Sequence, residues 1–162
     1  MSASVEMSVS ESVEAEEDIP DTPSVQQWAE KAYLSDDSVV VSVQIVSADE
    51  MRQLNATWRG SDKSTNVLSF PMRTPEVVEL KILGDLALCA AVINAEARQQ
   101  HKMEKAHWAH MLVHGMLHLQ GYDHVDDTQA EAMEALEIHI LNQLGFSNPY
   151  LENADKRLVE QS

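Results

Sequence analysis

The sequence has few of the residues that characterise several common protein classes. Its 162 residues include one cysteine, Cys89, which excludes an internal disulfide and a cysteine-based zinc site. A bound metal would therefore need nitrogen or oxygen ligands. The longest apolar stretches, such as residues 39–46, are too short to cross a bilayer, and the N-terminus lacks a basic segment followed by an apolar one. We expect a cytoplasmic protein with no membrane partner.

Basic residues are also scarce, with 11 Lys and Arg against 27 Asp and Glu and a formal net charge of −16. Nucleic-acid binding usually depends on Lys and Arg that neutralise phosphates, so this balance argues against a nucleic-acid partner. The distribution weakens that argument, because residues 1–21 carry seven acids and no base. This Ser/Glu-rich segment is predicted to be a disordered tail. Residues 52–105 hold eight of the basic residues against six acids, which fits either a locally basic face or ordinary solvated charges.

Apolar periodicity and capping residues predict helices and short strands in alternation. Helices are predicted from Thr22, from the Ser47 capping box, over about 90–101 and 105–120, and from Asp126 or Asp127 to Leu144; strands are predicted at 38–47, 66–70 and 80–89, with a hairpin-like connection containing Pro75 between the last two. This order predicts an α+β fold in which several helices pack on a small mixed β-sheet. We expect a single domain over residues 22–150 and a C-terminal tail over 151–162.

The most informative stretch for chemistry is HGMLHLQGYDH, residues 114–124. Residues four apart on a helix share a face at about 5–6 Å, so His114 and His118 can hold one ion together. Gly121 can adopt the left-handed conformation that ends a helix, which lets His124 turn back toward the same ion. The spacing therefore predicts a metal site at the C-terminal end of one helix.

Three protein ligands with an open fourth position are typical of catalytic zinc, since structural sites usually have four protein ligands. Zinc lowers the pKa of a bound water to about 7 in favourable sites. Three neutral imidazoles leave the double positive charge of the ion uncompensated. Such a site suits an anionic substrate such as a phosphodiester.

Other histidines compete for this role. His110 and His114 form a second pair four residues apart, whereas His107 lies about 10 Å from His114 because a helix rises about 1.5 Å per residue. We prefer the set that includes His118 and His124, since only this set is served by the helix-ending glycine. The remaining histidines, His101 and His139, are interpreted as packed or solvated.

The same spacing of histidines and glycine occurs in the long-motif zinc proteases. In those enzymes a glutamate follows the first histidine and acts as the general base. Gly115 occupies that position here. A zinc peptidase is therefore the weaker interpretation of the motif.

The motif and its neighbours strongly resemble the YbeY family of bacterial endoribonucleases and ribosomal RNA maturation factors. HGMLHLQGYDH is similar to the zinc motif of that family, and three more blocks follow the family order: RGSDKSTNVLSFP at 59–71, LGDLALC at 83–89 and AHWAHMLVHG at 106–115. The resemblance covers roughly residues 40–145. The family often has proline where Ser64 stands and aspartate where Asn66 stands, which bears on the rigidity of that loop.

The resemblance implies an α+β fold and one zinc ion on His114, His118 and His124. It also implies single-strand-specific RNA cleavage in 3′-end maturation of small-subunit ribosomal RNA, and a part in ribosome quality control. The expected partners are single-stranded RNA, ribosomal RNA, the ribosome and ribosomal proteins. By the same match, Arg59 corresponds to the family's functionally important arginine, so Arg59 and His114 are the candidate catalytic residues.

The properties of arginine suit this role for Arg59. A guanidinium is always charged and can contact two phosphate oxygens, so it can orient a diester and stabilise charge that develops on it. The general base, and the choice between water and the ribose 2′-hydroxyl as nucleophile, stay open. A different hypothesis is a ribosome-assembly factor with a mainly structural metal, because an acidic protein could bind basic ribosomal proteins.

Overall fold

The computed structural model of the chain describes residues 3–72 and 81–150. Its elements are β1 (Ala3–Val9), α1 (Thr22–Ala32), β2 (Val39–Val46), α2 (Ala48–Arg59), β3 (Val67–Pro71), β4 (Lys81–Cys89), α3 (Ala90–Gln99), α4 (Glu104–Leu119) and α5 (Asp127–Gln143). The strands form one mixed sheet, which confirms the predicted α+β class. The connection containing Pro75 and the tail predicted over 151–162 lie outside the described residues.

The sheet has the strand order β1-β2-β4-β3, with β3 antiparallel to β4 and the other pairs parallel. Side chains alternate between its two faces. On one face, Val41, Val43 and Leu86 join the main core, which includes residues of α1, α4 and α5. On the other face, Ala87 and Cys89 pack with the apolar side of α2 in a smaller cluster. The larger face therefore supports α4, while α2 lies on the opposite face.

Residues 3–9 form β1, so the disordered tail predicted for residues 1–21 is wrong for this segment. The strand pairs in parallel with β2 along its full length. Ala3 is fully buried and Met7 packs against the core, so alternate residues of the strand face inward. The acidic composition of the segment hides this alternation in the sequence. Gln26 of α1 adds two hydrogen bonds, donating to the Ala3 carbonyl at 2.5 Å and accepting from the Val5 amide at 2.8 Å. Pairing and burial thus order the strand despite its charge.

Helix α4 lies unusually close to the sheet because residue 115 is glycine. A Cβ atom at Gly115 would lie 2.8 Å from Cδ2 of Leu86 and 3.2 Å from Cγ2 of Val67. The Ser69 hydroxyl donates to the Gly115 carbonyl at 3.3 Å, which ties α4 to β3. This approach brings the C-terminal end of α4 against the edge of the sheet. Among the described residues, none of the helices combines the length and apolar character that a bilayer span requires.

Candidate metal centre

The three motif histidines converge as the sequence predicts. His114 and His118 lie in the last turns of α4, and His124 lies in the loop that follows. One ligand nitrogen from each lies within 4.8 Å of the other two. The Nε2 atoms of His114 and His118 are 3.0 Å apart, and two nitrogens bound tetrahedrally to zinc at about 2.0–2.1 Å would be about 3.4 Å apart. The donor atoms are therefore spaced for a single ion.

Gly121 brings His124 back toward α4. Its φ of 99° is strongly disfavoured for residues with a Cβ atom. The Gly121 amide donates to the His118 carbonyl at 3.0 Å and the Tyr122 amide donates to the Leu117 carbonyl at 3.0 Å. This pair of bonds is the Schellman arrangement, which satisfies the last carbonyls of a helix while reversing the chain. The predicted role of this glycine in ending the helix is confirmed.

The buried carboxylate of Glu137 on α5 contacts the metal centre through His114. Glu137 is 1% exposed and accepts hydrogen bonds from Nδ1 of His114, from Nε2 of His110 at 2.9 Å and from the Tyr150 hydroxyl at 2.5 Å. Burial alone raises the pKa of Glu137, but the hydrogen bonds from His110 and His114 outweigh it and lower the pKa to about 2. Glu137 is therefore ionised at neutral pH and fixes the proton of His114 on Nδ1.

Fixing that proton leaves Nε2 of His114 with a lone pair for a metal. Burial, followed by the charges of His114 and His124, lowers the pKa of His118 below its ordinary value. His118 is therefore neutral at neutral pH, which is the protonation state that metal binding needs. His124 is exposed and open to solvent. The donor atoms of these residues fit a divalent metal that accepts imidazole nitrogen.

The competing histidines have other partners. His110 Nε2 donates to Glu137, and His107 Nε2 lies 3.0 Å from Oε1 of Glu96. Within residues 3–72 and 81–150, the Nδ1 atoms of both rings are buried without a hydrogen-bond partner. Burial, which is the dominant effect, lowers the pKa of His110. His110 and His114, the alternative metal pair, thus share a hydrogen-bond partner, the Glu137 carboxylate. In the described structure neither His107 nor His110 belongs to the group of converging ligands.

Arg59 lines the same cleft as the three histidines. This cleft has a volume of about 530 Å³ and includes β3 residues on its other wall. Arg59 is the last residue of α2, and its Nη2 donates to the Ser69 carbonyl at 2.6 Å. The guanidinium carbon also lies 5.3 Å from the centre of the Phe70 ring. Among the described residues, the bond to Ser69 is the only protein hydrogen bond of the guanidinium, so its other N–H groups are available to a ligand.

Known proteins resemble this chain over most of its length. A family model described as Endoribonuclease YbeY matches residues 8–145. The chain belongs to the YbeY endoribonuclease family. YbeY membership implies a hydrolase that acts on RNA, and an endoribonuclease of ribosomal RNA maturation. The solution structure of TM1509 from Thermotoga maritima is also similar, with 26% identity over 75% of this chain and 79% of that chain and a TM-score of 0.47.

In this YbeY-family chain, a second carboxylate, that of Glu96, supports the loop before β3, which lines the cleft. Glu96 of α3 accepts from Nδ2 of Asn66 at 3.2 Å while also binding His107. Asn66 lines the cleft, and its own side-chain oxygen accepts from the Val67 amide at 2.7 Å. The asparagine at this position therefore joins α3 to the start of β3.

Sequence reasoning missed the role of Glu137 and its partner Tyr150. A signal for Glu137 was present, because the buried positions of α5 are Met133, Glu137, Ile140 and Leu141, at helical spacing. A single acid within an apolar stripe must be paired when the helix packs. The partner could not be deduced, since His114 and Glu137 are 23 residues apart on different helices.

Proposed function

We propose that the chain is a zinc-dependent, single-strand-specific endoribonuclease that acts in 3′-end maturation of small-subunit ribosomal RNA and in ribosome quality control. His114, His118 and His124 are the proposed zinc ligands. The observation that supports this proposal best is that three converging imidazoles and Arg59 line one open cleft. The proposed partners are single-stranded ribosomal RNA, the ribosome and ribosomal proteins.

Zinc held by the three imidazoles would supply a Lewis acid and a double positive charge for a phosphodiester. The side chains around it prepare the site. Glu137 keeps the His114 ring oriented with Nε2 unprotonated, and its negative charge balances part of the positive charge expected there. His118 and His124 complete the donor set, and the exposure of His124 leaves the site open toward solvent.

We assign to Arg59 the binding of the phosphodiester next to the metal centre. The Ser69 carbonyl and the Phe70 ring hold the guanidinium before RNA arrives. A guanidinium that is already oriented loses less freedom when it contacts two phosphate oxygens, and its charge stabilises negative charge that grows in the transition state. Arg59 is therefore a proposed catalytic residue, together with the metal ligand His114.

The zinc-peptidase interpretation is less well supported by the geometry. The glutamate base of the long-motif proteases would stand at position 115, where even a Cβ atom would lie 2.8 Å from Leu86. That position faces the sheet instead of the cleft. A glutamate there would require the Leu86 side chain to shift or α4 to move away from β4.

A ribosome-assembly factor with a mainly structural metal is the second candidate, and the net charge of −16 favours it. An acidic surface would attract basic ribosomal proteins directly. Under this alternative, folded variants that no longer bind metal would still support ribosome maturation.

The decisive experiment compares cleavage of a single-stranded RNA that carries the precursor 3′ end by the parent and by His114→Ala. His139→Ala is the matched control, because His139 is exposed on α5 and does not contribute to the histidine cluster. We expect zinc-dependent cleavage by the parent and the control, loss in His114→Ala, and protection of the same RNA in a duplex. Equal cleavage by a folded His114→Ala protein would contradict the proposal. Maturation supported in cells by that variant would favour the assembly factor.

A further inference from the structure

A second depression lies on the other face of the sheet from α4. It has a volume of about 370 Å³ and is bordered by Trp58 of α2, Phe70 of β3, Asp85 of β4 and Gln44 of β2. It exists because α2 covers only part of this face, where polar residues replace the apolar ones that fill the main core. The proposed reaction gives this depression no role.

Two aromatic rings form one wall of the depression. Trp58 is 65% exposed, although a large apolar ring is usually buried. Its ring centre lies 6.4 Å from that of Phe70 with an interplanar angle of 70°. The two rings meet in a T-shaped contact and are not stacked face to face, and most of the Trp58 surface stays open. Exposed aromatic faces of this kind stack on unpaired nucleobases.

Arg59 lines the histidine cleft and contacts residues that border the depression. Arg59 follows Trp58 directly in α2, binds the Ser69 carbonyl and lies over the Phe70 ring. Alternation along β3 sends Ser69 to the histidine cleft and Phe70 to the depression. Because β3 is an edge strand of the sheet that the described residues form, an RNA strand that crosses it can reach both sides. A phosphate held by Arg59 would carry a neighbouring base toward Trp58.

The polar groups of the depression favour a base over a phosphate. Asp85 is half-buried. Within the described part of the chain, its carboxylate has no hydrogen-bond partner. A carboxylate repels phosphate but accepts hydrogen bonds from the amino groups of bases, as in contacts to N4 of cytosine. With a net charge of −16, the chain gains less affinity from phosphates than a basic protein would, so contacts to bases would add to the affinity.

We propose that this depression is a nucleobase subsite that takes a base with an exocyclic amino group, next to the phosphate at Arg59. Trp58 stacks on the base and Asp85 accepts a hydrogen bond from its amino group. Uracil has no such group and binds less tightly. The inference rests on the proposed function, because it assigns part of the same RNA strand to a second face of the edge strand.

Tryptophan emission tests the subsite directly, since the two other tryptophans, Trp28 and Trp108, are each 2% exposed. The probes are 2′-O-methyl octamers of cytidine, adenosine and uridine. We expect the cytidine and adenosine octamers to quench the emission and to bind about fivefold or more tightly than the uridine octamer. Trp58→Ala removes the quenching and weakens cytidine binding about fivefold or more, whereas Trp58→Phe restores most of the binding.

Asp85→Ala provides a second and independent test. We expect this variant to bring the ratio of cytidine-octamer to uridine-octamer affinity close to one. Removing an acid strengthens the binding of every RNA, but this general effect cancels in the ratio. Met103→Ala is the control, because Met103 is 75% exposed at the N-terminal end of α4, opposite to His118. It should leave all affinities unchanged.

Cleavage assays run in parallel separate this inference from the proposed function. Quenching in the expected pattern without cleavage would support the subsite and contradict the nuclease. Cleavage with unchanged octamer binding in Trp58→Ala would overturn the subsite alone. If none of the octamers changes the tryptophan emission, the subsite is also overturned, and a protein partner becomes the better candidate for the depression.

Discussion

The Glu137 carboxylate on α5 accepts a hydrogen bond from Nδ1 of His114 on α4. This contact links the metal centre to the core, because Glu137 also binds His110 and Tyr150 and is 1% exposed. A histidine ring whose second nitrogen is held in this way can present Nε2 in only one orientation. The properties of the centre therefore depend on a residue outside the histidine motif.

Glu137→Gln should weaken zinc binding. The amide has no negative charge and one acceptor oxygen, so it cannot serve both histidines as the carboxylate does. We expect affinity to fall about 10- to 100-fold, as for other partners that orient a metal-binding histidine. Competition with a chromophoric chelator measures the change. Glu131→Gln, an exposed position on the same helix, is the control, and equal affinities in the two variants would show that Glu137 does not orient the site.

Gly121→Ala should destabilise the protein and loosen the metal centre together. No atom lies within 4 Å of a Cβ built at this position, so the cost comes from the backbone φ of 99° alone. A disfavoured backbone conformation costs about 1–3 kcal/mol. Urea unfolding and zinc titration measure the two effects. Gly121→Asn should lose less, because asparagine tolerates positive φ better than alanine, and an alanine variant as stable as the parent would refute this explanation.

Arg59→Lys should reduce catalysis more than RNA binding. Lysine keeps the charge but cannot hold the Ser69 carbonyl and contact two phosphate oxygens with one planar group. We expect kcat to fall about 100-fold or more, as when an oriented transition-state donor is removed, with a much smaller change in KM. Arg52→Lys is the matched control, since Arg52 lies on the same helix and pairs with Asp62 at an exposed site. A loss confined to KM would assign Arg59 to binding only.

Glu96→Gln should destabilise the protein more at neutral pH than in acid. The hydrogen bond from His107 is the main effect that holds the pKa of Glu96 below its ordinary value of 4.5. The folded state therefore takes up a proton less readily than the unfolded state, so this stabilisation is present above pH 4.5 and is lost as the pH falls below it.

The free energy of unfolding of the variant should fall by about 1.5–3 kcal/mol at pH 7, the usual range for hydrogen bonds to charged groups. Urea unfolding of the parent and the variant at pH 7 and at pH 3.5 measures the difference, which should narrow in acid. Glu30→Gln, at an exposed position of α1, should show no such dependence. A constant difference at both pH values would mean that the charge of Glu96 is not involved.

The predictable part of the fold consists of local features. The Ser47 side chain accepts from the Glu50 amide at 3.2 Å, as the capping-box pattern predicts, and α5 begins after the Asp126 cap. Strand β1 was missed because its stability depends on pairing with β2 and on burial of Ala3, whereas composition records only its acids. Capping is decided by neighbours in sequence, and strand pairing is decided by distant residues.

The sequence by itself determined the three converging histidines, because the spacing of His114 and His118 on a helix and a glycine at 121 leave the chain few alternatives. Only the tertiary structure decided what surrounds them. The buried Glu137, the placement of Arg59 by Ser69 and the open face of Trp58 depend on contacts between elements far apart in the chain. Periodicity shows which face of an element is buried, but the residues that meet across two such faces are fixed by packing.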